Sequence, residues 1–290
     1  MLEEYRRFAM EGWAQGMRYA MQTPRGSRIG VAGGLLGKAA GSSIEFMDYR
    51  EYQPGDDLRT IDWSAFGRTD KLMVRMYRQE VCPHLDLVID CSASMALEST
   101  DKARATMALA GMLASGALNA GYTCSLHRLA ETLSPAVGGG GSPLQWDGLD
   151  LDYAGDSGES FMRMAASFRP RGMRILISDL LWWTSPSSVL GRLAHQSSAA
   201  VVVTVQARED IDGPEDGEWQ LADSETGEIQ LMVVDSASRV AYRQAAAAHR
   251  QGWHDCCRAN GAVMVEFEAE AFCRDWNARP LLETEVLRFC

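Results

Sequence analysis

The chain has 290 residues, 46% of them apolar, enough for a sizeable core and more length than one typical domain needs. Its formal charge is −11 and unevenly placed: residues 1–82 hold 12 Lys and Arg against 11 Asp and Glu, and residues 83–290 hold 16 against 28. An acidic main segment disfavours nucleic acid, whose phosphates need a basic face, and the absence of any apolar run of about 18 residues gives no membrane span.

In chain order, the opening MLEEYRRFAM lacks the basic-then-apolar order of a signal peptide. Leu2, Tyr5, Phe8, Trp13 and Met17 recur at near-helical spacing, which predicts an amphipathic helix over 2–22. Thr23-Pro24-Arg25-Gly26 ends it, so residues 1–24 form an N-terminal helical segment. Residues 26–42 are glycine-rich. No strand precedes them and neither nucleotide-loop pattern fits, so they read as a flexible loop. Residues 43–82 alternate like strands around the turn Gln53-Pro54-Gly55-Asp56-Asp57, giving a small β-rich module over 25–82.

From residue 83 the rhythm becomes strand–helix alternation. Strands are expected at 84–90, 122–129, 173–177, 199–205 and 262–267. Helices are expected at 101–119, 158–168, from Pro186 to Gln196, 236–259 and 270–277. This implies an α/β fold, a doubly wound, mostly parallel sheet over 83–290 with helices on both faces. An insertion at 207–234 interrupts it. Residues 209–228 hold nine acidic and no basic residues, and Trp219–Leu221 and Ile229–Val233 read as a hairpin. It is either a solvated surface hairpin or a flap for docking a partner.

The chemistry concentrates at two predicted strand ends. Asp90-Cys91-Ser92-Ala93-Ser94 puts one carboxylate and two hydroxyls on one loop, and the strand 173–177 ends in Ser178-Asp179. These are hard oxygen donors suited to a Mg²⁺-like ion. Ligands of such sheets bind beyond the carboxyl ends of the strands. The plainer alternative is that the serines cap the next helix and Asp179 caps a loop. Five scattered histidines give no zinc pattern, since His249 and His254 do not share a helix face. A nucleophilic Ser92 or Ser94 would need a base, for which only His127 on the neighbouring strand offers itself. Seven cysteines without C-x-x-C point to inert thiols and a cytoplasmic setting.

The D-x-S-x-S loop with a later aspartate resembles the metal-ion-dependent adhesion site of von Willebrand factor A-type domains. The resemblance implies a third hydroxyl before an intervening helix. Ser157 is the first choice and Ser160 the second, so the expected metal set is Asp90, Ser92, Ser94, Ser157 and Asp179. It also implies a weakly held Mg²⁺ or Mn²⁺ with one position open to a partner's carboxylate.

Residues 41–80, and above all Tyr52-Gln53-Pro54-Gly55-Asp56-Asp57-Leu58-Arg59-Thr60-Ile61-Asp62-Trp63, resemble the signature of the bacterial family called domain of unknown function 58. Leu221 to Gly227 resembles it too. The family joins such a block to a von Willebrand A-like domain. Its members often accompany MoxR-type AAA+ ATPases and are thought to act as adaptors in protein maturation or remodelling. The residues themselves suggest a turn locked by Arg59 on a nearby aspartate, with Trp63 anchoring the module against the main sheet, or else a docking surface. Three functions follow as expectations: a non-catalytic binding module for an AAA+ ATPase or its client, a metal-dependent phosphoester hydrolase, or a scaffold with a vestigial site.

Overall fold

A computed structural model describes residues 2–24, 45–54, 56, 58, 61–78, 83–163, 168–224 and 227–290. The chain divides into two units: Met1–Ile29 together with Pro83–Cys290, and Gly30–Cys82. The glycine-rich 26–42 segment and Arg59 lie outside the described residues.

The larger unit opens with α1 (Glu3–Gly16) and β1 (Tyr19–Met21). The smaller unit contributes β2 (Glu45–Glu51), α2 (Trp63–Thr69) and β3 (Met73–Arg78). The larger unit then resumes with β4 (His84–Asp90), α3 (Lys102–Asn119), β5 (Thr123–Leu129) and β6 (Leu133–Pro135). Next come α4 (Ser157–Arg163), β7 (Met173–Ser178), α5 (Pro186–Ala194), β8 (Ala199–Gln206) and α6 (Arg208–Asp212). The chain ends with β9 (Gly217–Ala222), β10 (Ile229–Val234), α7 (Ser236–Ala259), β11 (Val263–Glu268), α8 (Ala269–Asp275), α9 (Arg279–Glu283) and β12 (Leu287–Phe289).

Six strands form one sheet in the order β11-β8-β7-β4-β5-β6, all parallel except β6. Counted along the sheet strands alone, this is the Rossmann-like order 3-2-1-4-5-6. Side chains alternate across it. Leu85, Leu87 and Ile89 of β4 join the core under α3, whereas Val88 joins the core shared with Phe161, Leu190 and Trp253. Both faces are therefore covered, and the strands read as nearly continuous apolar runs.

Several short elements differ from the sequence expectation. The first helix stops at Gly16, and Tyr19–Met21 pairs antiparallel with Leu287–Phe289. The smaller unit holds an antiparallel pair, β2 with β3, and also a helix where strands were expected. Asp62 starts that helix by accepting from the Ser64 and Ala65 amides at 2.9 and 3.1 Å. Asp56 is paired with Arg50 at 2.5 Å. Trp63 is 65% exposed and meets Phe66 edge-on at 6.3 Å within the smaller unit. The hairpin of the acidic insertion forms, β9 with β10, and is preceded by the unexpected short helix α6. No described helix is long and apolar enough to cross a membrane.

Candidate functional site

β4 and β7 are hydrogen-bonded neighbours, yet α3, β5, β6 and α4 intervene in sequence. The order of the sheet reverses between them, and at such a point the two following loops part and leave a crevice. Asp90 ends β4 and Asp179 follows the last residue of β7, so both carboxylates sit at that crevice.

Asp90 is fully buried and accepts four hydrogen bonds. Its Oδ1 takes the Ser92 amide at 3.0 Å and the Ser157 hydroxyl at 2.7 Å. Its Oδ2 takes the Ser178 hydroxyl at 2.7 Å and the Trp182 indole at 3.0 Å. The Ser92 and Ser94 hydroxyls lie 3.1 Å apart. Ser157 is brought in by a backbone stitch: Tyr153 donates to Cys91 O, and Ala93 donates to Tyr153 O, both at 2.9 Å. Asp156 then caps the start of α4 through the Gly158 and Glu159 amides. Ser160, the alternative third hydroxyl, pairs with Tyr153 Oη at 3.1 Å and does not reach Asp90.

Asp179 is held differently. Its Oδ1 accepts the Leu181 amide at 3.1 Å, and its Oδ2 accepts the Lys102 ammonium at 2.8 Å. Lys102 also meets Asp210 Oδ2 at 2.9 Å and is itself fully buried. Burial, and then the neighbouring Asp179 charge, push the Asp90 carboxyl above its ordinary range, against the pull of its Ser178, Ser157 and Ser92 donors.

All five residues singled out in the sequence thus meet at one crevice. Four residues escaped sequence reading: Lys102, Asp210, Ser178 and Trp182. Ser178 was visible beside Asp179 but carried no ligand pattern. Trp182 carried no signal, and Asp210 lay in the 209–228 stretch, which reads as either a solvated hairpin or a docking flap. Lys102 had no signal at all. His127, the only base offered for a serine nucleophile, instead bonds Asp86 at 3.0 Å.

Among the described residues no group of three or more His, Cys, Asp or Glu is placed to hold a metal. The donors on offer are three hydroxyls and two carboxylates. Each hydroxyl keeps lone pairs after donating, and three carboxylates against one ammonium leave two negative charges. The donor chemistry therefore fits a hard divalent ion such as Mg²⁺.

The model of the family described as "Protein of unknown function DUF58" matches residues 48–252, most of the chain. The chain belongs to the DUF58 family. The match takes in the whole Tyr52–Trp63 block and both carboxyl-end loops. Uncharacterized proteins of Mycobacterium bovis and Mycobacterium tuberculosis are each 31% identical to this DUF58 chain over 272 residues, covering 89% of it and 82% of their own length. The crystal structure of the conserved hypothetical protein BatB from Bacteroides thetaiotaomicron aligns with a TM-score of 0.37 at 12% identity, over 70% of this chain and 98% of that one. An aerotolerance-related membrane protein from Bacteroides fragilis aligns with a TM-score of 0.35 at 12% identity, over 67% of this chain and 98% of that one.

Proposed function

We propose that this DUF58 protein is a non-catalytic binding module of the von Willebrand A type. It holds a Mg²⁺ or Mn²⁺ weakly at Asp90, Ser92, Ser94, Ser157 and Asp179 and uses it to grip an acidic residue of a partner protein. The observation that carries the reading is convergence. Three separate segments, the loop after β4, the start of α4 and the end of β7, bring Ser92, Ser157 and Ser178 onto the buried Asp90 carboxylate at the sheet's switch point, with Ser94 beside Ser92 and Asp179 next to Ser178 in the chain. When bound, the ion would supply a local positive charge on an otherwise acidic surface. Asp90 would orient the Ser157 hydroxyl and the backbone of Ser92 through the hydrogen bonds it already accepts. The partner class implied by the family resemblance is a MoxR-type AAA+ ATPase or its client, with this chain as an adaptor in protein maturation or remodelling.

Thermal unfolding tests the site directly. A ligand that binds only the folded form stabilises it by mass action, about 1.4 kcal/mol at roughly ten times its dissociation constant. Wild type should unfold at higher temperature in millimolar Mg²⁺ than in EDTA, and Asp90→Ala should lose that difference while remaining folded. The same pair should capture the ATPase strongly and weakly, respectively. One feature favours a second reading, a scaffold with a vestigial site: Lys102 already neutralises Asp179. That reading expects no Mg²⁺ response in the wild type.

A further inference from the structure

Lys102 is a charge that the metal reading does not use. Lysines are almost never fully buried unless paired, and this one lies between two carboxylates, 2.8 Å from Asp179 and 2.9 Å from Asp210. Its ammonium occupies the same Asp179 carboxylate that an ion in the crevice would draw on. A fixed positive charge that close repels a divalent cation and holds its carboxylate partner in place.

We infer that Lys102 is a resident cation that competes with the divalent ion for Asp179 and sets the metal affinity of the site low. Asp210, in the middle of the short helix α6, is the positioning residue: it shares the ammonium and so limits how completely Lys102 neutralises Asp179. The same Asp210 Oδ2 also accepts the Ala207 amide at 2.9 Å, which fixes the carboxylate. The ion is then retained chiefly when a partner brings a carboxylate of its own, so that metal and partner bind together. This deepens the binding-module reading and rests on it.

The test is a Mg²⁺ titration of the full chain, followed by thermal unfolding and by calorimetry. The proteins are wild type, Lys102→Gln, Asp210→Asn and the double variant Lys102→Gln with Asp210→Asn. The double variant keeps the formal charge of the crevice but frees Asp179. Its Mg²⁺ midpoint should fall at least about tenfold below that of wild type. Asp210→Asn alone, which leaves the whole ammonium to Asp179, should raise the midpoint. A purely structural lysine would not move the two variants in opposite directions. Lys102→Gln alone strands two buried carboxylates and is the variant at risk of misfolding, so the other two decide. Adding Asp90→Ala to the double variant should abolish its response, which assigns the ion to this crevice. A wild-type response that the double variant leaves unchanged or weakens overturns the role of Lys102 and spares the metal site. No response in either protein overturns both.

Discussion

Four donors converge on the Asp90 carboxylate, two on each oxygen. An asparagine there keeps one accepting oxygen and turns an NH₂ group toward the other pair of donors. A serine hydroxyl can rotate away. The Ser92 amide and the Trp182 indole cannot, and one sits on each side. Whichever way the amide turns, one rigid N–H is left facing an NH₂. Asp90→Asn should therefore cost about 2–3 kcal/mol in urea unfolding, beyond any loss of metal response. Wild-type stability in this variant would mean that the carboxylate is not the acceptor the geometry makes it. Asp86, four residues before Asp90 on β4, poses a separate acid–base question. Burial works to raise its carboxyl, but hydrogen bonds from His127 and His84, at 3.0 and 3.2 Å, and the charge of the two imidazoles outweigh it and hold it at about 2. Because the folded value lies below the unfolded one, about 3.9, this group stabilises the fold above pH 4. That contribution, about 2 kcal/mol, is lost as pH falls from about 4 to about 2. Asp86→Asn should lower stability at neutral pH and flatten that part of the pH profile. A profile with the same slope in the variant would assign the acid transition to other groups.

At the scale of elements, the clearest energetic device is the contact of α1 with α3. A Cβ added at Gly12 would lie 1.8 Å from the Ala108 carbonyl oxygen, and one at Gly111 would lie 2.0 Å from that of Ala9. The two helices touch backbone to backbone, so the glycines are there for space. Gly111→Ala should destabilise by about 1–3 kcal/mol through overpacking. Gly252→Ala on α7, where a Cβ meets nothing within 4 Å, should instead stabilise by about 0.5–1 kcal/mol. Paired urea curves with shifts of opposite sign check the argument, and equal shifts would refute it. The α1–α3 partnership was not legible in the sequence, because an amphipathic pattern shows that a helix has an inner face but not which helix covers it. The sheet was legible, since β4, β7 and β8 are buried apolar runs bounded by turns. β1, β6, β12 and α6 were not, because three to five residues are too few for a period to declare itself. α2 was missed for another reason: its start is set by the Asp62 cap within a segment that otherwise reads as alternating strands. The site divides in the same way. Asp90, Ser92 and Ser94 are adjacent in sequence and Asp179 ends a clear strand, whereas Lys102 begins a helix at a position where a lysine is ordinarily solvated.

Over the molecule as a whole, the acidic surplus belongs to residues 83–290, and the insertion concentrates it. Within that insertion, β10 is an uncharged strand, IQLMVV, paired only with β9 among the described residues. Ile229, Leu231 and Val233 alternate along it and so share one face, where they are 57%, 85% and 71% exposed. They lie opposite Ala222, Gln220 and Glu218. A six-residue strand of high β-propensity with no charge and no proline, open to solvent, is a site for adventitious strand pairing. The acidic flanks oppose that pairing by repulsion, which salt screens over about 8 Å at physiological ionic strength. Association of the free chain should therefore rise with salt as well as with concentration in sedimentation velocity. Leu231→Lys should suppress it at every salt concentration. The same substitution should change unfolding stability by no more than about 0.5 kcal/mol, since the side chain gives up no core contact. A large loss of stability would show that Leu231 is packed in solution. Association that persists in the variant would place the contact on another face of the molecule.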